Sequence, residues 1–274
     1  MTVERLTGVE PVPGVAKPDP LLEVNAMVRR FGGLVAVSVD HLEVQRGTIT
    51  SLIGPNGAGK TTFFNLLTAF DQPDEGEWHL EGGALVGIPS FRVARKGMVR
   101  TFQLTKSLAR LTVLENVMLA GPDQSGEGIF RGLLGGWGSE ERANEEASMG
   151  LLERFGLTRM RDEYAGSLSG GQRKLLEMAR ALRSDPDLIM LDEPMAGVNP
   201  ALTESLLTHI KDLRDEEGKT VIFIEHDMDV VMEISDWVVC LAQGSVISEG
   251  PPAHVAGDPA VIDAYLGSTH GEHA

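Results

Sequence analysis

Gly54-Pro55-Asn56-Gly57-Ala58-Gly59-Lys60-Thr61 fits the spacing G-x-x-x-x-G-K-[ST], a glycine-rich turn whose backbone N–H groups converge on one small volume. Between a strand and a helix such a turn cradles phosphate. The amides and the helix N-terminus supply partial positive charge, Lys60 neutralises β- and γ-oxygens, Thr61 ligates Mg²⁺, and Thr62 completes the phosphate-facing set. A glycine turn with an incidental Lys-Thr is the bland alternative. It is disfavoured by context, because the apolar run Ile49–Ile53 precedes the turn and a helix bearing Phe63, Phe64, Leu66 and Leu67 follows it.

A second cluster closes an apolar strand: Leu188-Ile189-Met190-Leu191 runs into Asp192-Glu193. Adjacent acids at a strand end are usually just solvated, but beside a phosphate loop they have work to do. Asp192 would sit near a phosphate-bound metal and Glu193 would polarise an attacking water. A third cluster, Leu168-Ser169-Gly170-Gly171-Gln172, opens an amphipathic helix, so that Ser169 and the N–H groups of Gly170 and Gly171 make a second anion-facing helix start, with Gln172 completing the motif. Alone it is an ordinary helix cap.

Elements of several kinds must position these residues. Short alternating runs over Leu22–Val44, broken at Gly32 and Gly33, predict an antiparallel strand pair. After Ser167, strand and helix patterns alternate: a helix with Leu175, Met178, Ala179 and Leu182, the strand Leu188–Leu191, a helix from Ala201 and a strand Val221–Ile224. This alternation predicts an α/β fold with a mainly parallel sheet flanked by helices. Strands at Trp237–Ala242 and Ser245–Ser248 around a Gln243-Gly244 turn, then a helix capped by Asp258 with Pro259 in its first turn, complete the chain.

Between Leu104 and Ser167 the pattern becomes helical. Thr112 and Glu115 have capping-box spacing, and Ala143, Ala147, Leu151 and Phe155 are expected on one apolar face opposite Glu141, Glu145 and Glu146. The glycine-rich stretch Gly121–Gly138, with Ile129, Phe130, Leu133, Leu134 and Trp137, admits two readings, a partner-facing amphipathic turn or a loosely packed loop.

Composition narrows the function classes. Forty acidic against 24 basic residues leave a net charge of -16, so no nucleic-acid partner is expected, because backbone binding needs clustered Lys and Arg. The single cysteine, Cys240, lies in an apolar strand and reads as a packed residue. No stretch approaches 18 apolar residues, and the N-terminus lacks a signal pattern, which predicts a cytoplasmic protein. The proline-rich residues 1–20 are expected to form an irregular or mobile leader.

With the phosphate loop, the Ser169 motif and the acidic strand in this order, the sequence resembles the ATP-binding cassette family from about Leu22 to Gly267. The resemblance implies a P-loop NTPase core, an N-terminal antiparallel β subdomain and a helical signature subdomain at about 104–183, within an ATPase domain of 21–267 followed by a tail of 268–274. It implies ATP and Mg²⁺ as cofactors. Gln103 matches the family's glutamine loop, which touches Mg²⁺ or the attacking water. His226 matches the switch histidine, whose role is to contact the γ-phosphate and orient water beside Glu193. Phe31 stands where the family has an adenine-stacking aromatic, although core packing also suits a phenylalanine there. Asn199 occupies a position that is aspartate in many members, which removes any charge role from that loop.

Three segments are similar to the ATPase subunits of branched-chain amino acid importers: Ala196–Pro200, Glu225–Val231 and the ending Asp258–Gly267. The segment Phe130–Trp137 also resembles the insert those subunits carry. The implied machine pairs two cassettes, of the same or a related chain, on transmembrane permease subunits at the inner face of the cell membrane. Importers of urea or other amides use similar ATPases. A soluble cassette of translation or DNA repair is expected to bring a second cassette, a coiled coil or a basic extension.

The adenine assignment is open to a simple test. Phe31→Ala should weaken ATP affinity while Phe31→Tyr and Phe31→Trp preserve it; equal affinity in Phe31→Ala and the parent, measured by calorimetry, would remove the assignment.

Overall fold

A computed structural model describes residues 6–101, 108–122 and 137–268. They form two compact units, one within 6–100, Asp187–Met195 and 207–268, the other within 101, 108–122, 137–186 and Ala196–Leu206.

The first unit contains two sheets. Strands β1 (Pro20–Phe31) and β2 (Leu34–Gln45) form the expected antiparallel pair, extended by β4 (Glu75–Leu80) and β5 (Gly83–Ala84) in the order β2-β1-β4-β5. The larger sheet is built on β3 (Ile49–Ile53), β6 (Met98–Arg100), β7 (Leu188–Asp192), β8 (Thr220–Ile224), β9 (Trp237–Ala242) and β10 (Ser245–Gly250). Its order is β10-β9-β3-β8-β7-β6, parallel throughout except for the antiparallel edge strand β10. Every residue of β3, β7 and β8 is buried, which explains their near-continuous apolar sequences, as strands covered on both faces require. Register aligns their ends: Leu52 pairs with Ile224, and Ile224 pairs with Asp192. The helix α1 (Lys60–Leu67) contributes Phe63, Phe64, Leu66 and Leu67 to a core that also holds Trp78 and Trp237. Short helices α2 (Ser90–Arg95), α7 (Met228–Ile234) and α8 (Pro252–Gly257) surround the sheets, with α9 (Pro259–Ser268) at the C-terminal end.

Residues 6–19 contain no helix or strand, but they are tied to the core. The Lys17 ammonium lies 3.6 Å from the Glu249 carboxylate, with both side chains almost fully buried, and 4.4 Å from the centre of the Trp237 ring. Val15 N–H donates to the same carboxylate oxygen, Glu249 Oε1, at 2.9 Å, and Asp19 N–H donates to Gln45 Oε1 at 2.9 Å. Burial holds the Lys17 pKa below its ordinary value, opposed by the charges of Glu249 and Glu43.

The second unit is helical. The Thr112–Glu115 capping box opens α3 (Val113–Met118) as expected; α4 (Trp137–Arg154), α5 (Gly170–Leu182) and the beginning of α6 (Pro200–Asp215) follow. The apolar face expected for α4 is displaced by one residue. Ala143 and Ala147 are exposed, whereas Ser148, Leu152 and Phe155 are buried. The cause is a polar network that alternation of apolar residues cannot reveal. Arg183 donates to Asn144 Oδ1 at 2.7 Å and to Ser148 Oγ at 3.2 Å, and Ser148 donates to the Asn144 carbonyl at 2.7 Å. Asn144 also donates to the Met118 carbonyl at 3.2 Å, tying α4 to α3.

Asn144→Leu keeps the side-chain volume but strips Arg183 of an acceptor, so urea denaturation should show a loss of about 1–3 kcal/mol. Ala147→Leu, on the exposed face, should change stability by less than about 0.5 kcal/mol.

Candidate active site

The phosphate loop begins where β3 ends. Gly54 has φ 145° and a Cβ there would lie 2.1 Å from the Leu241 carbonyl oxygen, while Gly59 has φ 100° and its Cβ would lie 2.4 Å from the Ala36 carbonyl oxygen. Neither position admits a side chain, and both backbones are wedged against neighbouring strands. Within the loop, Lys60 is 7% exposed and its ammonium donates to the carbonyls of Gly54 at 2.6 Å and Pro55 at 3.0 Å. Burial lowers its pKa, and the charges of Glu193, Cys240 and Asp192 pull the other way. Asn56, Gly57 and Thr61 are exposed, with Pro55, Gly59 and Thr62 partly so, whereas Ala58 is buried. The loop therefore leaves Asn56, Gly57 and, at the start of α1, Thr61 open to solvent.

Asp192, the last residue of β7, is buried against an arginine that the sequence reading did not single out. Arg100 Nη2 donates to Asp192 Oδ2 at 2.6 Å with both side chains 4% exposed, and Arg100 Nη1 donates to Asn65 Oδ1 at 2.6 Å. The guanidinium also lies 5.5 Å from the centre of the Phe64 ring. Arg100 thus joins the end of β6, the end of β7 and the helix that carries the phosphate loop. Its only sequence signal is a position three residues before Gln103, which itself lies outside the described residues.

Glu193 follows in the left-handed region, φ 48°, an uncommon conformation for a residue with a side chain and one concentrated at functional sites. Its Oε1 lies 2.7 Å from His226 Nε2. A second residue missed in the sequence organises this pair. The buried Glu225 carboxylate accepts from the Met195 N–H at 3.0 Å through Oε1 and from the His226 N–H at 3.1 Å through Oε2. It fastens the loop after β7 to the loop after β8, and a strand ending in Glu-His is the trace it leaves in the sequence.

Among the described residues no group of three or more His, Cys, Asp or Glu side chains could hold a metal by itself. Thr61 and Asp192 offer a hydroxyl and one carboxylate, the oxygen donors that suit a Mg²⁺ ion brought in by nucleotide phosphates and still carrying water. Cys240 is buried and its thiol is pushed up to about 12, chiefly by desolvation, so it is a packed residue as expected. Phe31 is 49% exposed, with Arg29 lying 4.7 Å from its ring centre, so the ring is not a core residue.

In the helical unit, Ser169 caps α5 with a reciprocal box: Gln172 N–H donates to Ser169 Oγ at 3.2 Å and Ser169 N–H to Gln172 Oε1 at 2.9 Å. Gly170 lies in open space, and Asn199 Oδ1 accepts from the Leu202 N–H at 3.0 Å, opening α6. Ser169, Gly171, Leu175, Asn199, Leu202 and Ser205 line one groove of about 540 Å³.

The ABC transporter family model matches residues 37–196, a span that includes the phosphate loop, the Ser169 box and the acidic strand. The chain belongs to the ATP-binding cassette family. A second model, for branched-chain amino acid ATP-binding cassette transporters, matches 245–271 of this cassette. Relatives include the high-affinity branched-chain amino acid transport ATP-binding proteins BraF of Pseudomonas aeruginosa and LivG of Escherichia coli K12. They are 43% and 44% identical to the cassette, covering 90% and 91% of it and 98% of each relative. Among solved structures, the ADP conformation of the cassette MJ1267 matches with a TM-score of 0.78 at 35% identity, covering 90% of this cassette and 99% of that chain. A dimeric post-hydrolysis state of MJ0796 bound to ADP and Pi matches with a TM-score of 0.71 at 26% identity, covering 84% and 98%.

Arg100→Met should strand a buried carboxylate and lower stability by about 3–5 kcal/mol. In a double-mutant cycle Asp192→Asn should restore much of that loss; additive losses on chemical denaturation would show that the pair is not coupled.

Proposed function

We propose that this cassette binds MgATP, hydrolyses it with Glu193, and thereby drives a multi-subunit importer of branched-chain amino acids. The observation that carries the hydrolytic reading is the Glu193–His226 contact of 2.7 Å at the sheet edge where the phosphate loop begins. The solute class rests on the relatives' names and on the C-terminal match at 245–271.

Each residue then has a defined task. Amides of Gly57–Thr61 and the α1 N-terminus hold the phosphates, and Lys60 exchanges its loop carbonyls for phosphate oxygens. Thr61 and Asp192, with Gln103, would hold a Mg²⁺ ion, which would supply positive charge to the phosphates. Glu193 takes the proton of the attacking water, and His226 orients that water and contacts the γ-phosphate. Phe31 stacks on adenine. Ser169, Gly170, Gly171 and Gln172 serve the ATP held by a second cassette, so two chains close face to face and open again after hydrolysis. No helix of the described residues is long and apolar enough to cross a membrane; the cassette works from the cytoplasmic face on separate permease subunits.

Glu193→Gln retains shape but removes the base, so phosphate release should fall by about 100-fold or more while ATP affinity stays near the parent's. The variant should accumulate an ATP-bound dimer by light scattering, with itself or with a related cassette. Lys60→Ala should lose binding and dimer together. Near-parental turnover in Glu193→Gln would take the base role away from that residue.

A further inference from the structure

The C-terminal helix reaches the phosphate loop through one hydroxyl. Gly54 N–H donates to Tyr265 Oη at 2.9 Å, although the two residues lie in segments far apart in sequence. Gly54 is held from three directions: Tyr265 takes its N–H, Lys60 donates to its carbonyl at 2.6 Å, and the Leu241 carbonyl fills the space where a Cβ would stand. The bonded amide is the first of the loop, ahead of the exposed turn at Asn56 and Gly57, whose amides belong to the proposed phosphate cradle. Fixing it therefore leaves those donors to a nucleotide.

The helix that carries Tyr265 is itself anchored. Asp258, at the start of the helix, accepts from the Ala260 N–H at 2.9 Å. Val261, 4% exposed, packs inward, and Pro259 sits in the first turn. From this cap to Tyr265 the helix spans two turns, about 10 Å. Burial raises the Tyr265 pKa, so the group is a neutral phenol whose oxygen accepts the Gly54 bond. Asp258 and Tyr265 both lie inside the 245–271 segment that the branched-chain amino acid cassette model matches.

We propose that Tyr265 is a positioning residue for nucleotide binding: through its hydroxyl the C-terminal helix fixes the root of the phosphate loop and sets its affinity for nucleotide. The inference rests on the reading of Gly54–Thr61 as the nucleotide site.

Tyr265→Phe removes one oxygen and keeps the ring. With Mg²⁺ present, ADP affinity by calorimetry should fall about three- to tenfold, the range expected for a lost hydrogen bond. Hydrogen exchange in peptides spanning Gly54 should speed up while the Tm stays within about 2 °C of the parent's. ADP affinity within about twofold of the parent's, or a lower Tm with affinity unchanged, would overturn the proposal and leave Tyr265 a packing residue. Val261→Ala, in the same helix, should show the opposite pattern, a lower Tm with a smaller change in affinity. Lys60→Ala separates the two readings: if it binds ADP as the parent does, the nucleotide-site assignment fails. The Tyr265 contact is then decided by exchange at Gly54 alone, where an unchanged rate in Tyr265→Phe rejects it.

Discussion

Three buried parallel strands end level with one another, and the chemistry depends on that register. Because Leu52 pairs with Ile224 and Ile224 with Asp192, the chain leaves the sheet at one edge as a phosphate loop, as an acid pair and as a Glu-His turn. A slip of one residue in any strand would turn its side chains to the other face and move its terminal residue about 3 Å. The apolar side chains of β3, β7 and β8 therefore position the charged groups without touching them. Carboxylate and guanidinium then lock the edge: Arg100 joins Asp192 to the phosphate-loop helix, and Glu225 ties the two turns that carry Glu193 and His226.

How much of this the sequence disclosed follows from the range of each interaction. The phosphate loop, the Thr112–Glu115 capping box, the Ser169 helix start and the buried strands are local patterns, written in spacings of a few residues, and they stand where the residue pattern puts them. Arg100 and Glu225 escaped notice because their partners are distant or because they resembled ordinary polar residues at strand ends. The α4 face was displaced for a related reason. A helix that buries asparagine and serine against an arginine on another helix looks, in sequence, as though its apolar stripe lay one position away. The short strands β4, β5 and β6 and the helices α2 and α8 left too little periodicity to be read.

The leader makes the same point about the beginning of the chain. Prolines and a lack of alternation suggest an irregular or mobile segment, yet Lys17 is the buried counter-charge of Glu249 and lies on the Trp237 ring. Trimming the chain at β1 would leave a carboxylate interred in the edge of the main sheet with its cation gone, a situation proteins resolve by protonating the acid or loosening the strand. That strand is β10, which pairs with β9, the strand whose Leu241 carbonyl closes on Gly54 of the phosphate loop. The segment around Lys17 is thus built into the same sheet from which the phosphate loop emerges, and removing it would disturb the body of the cassette rather than an appendage.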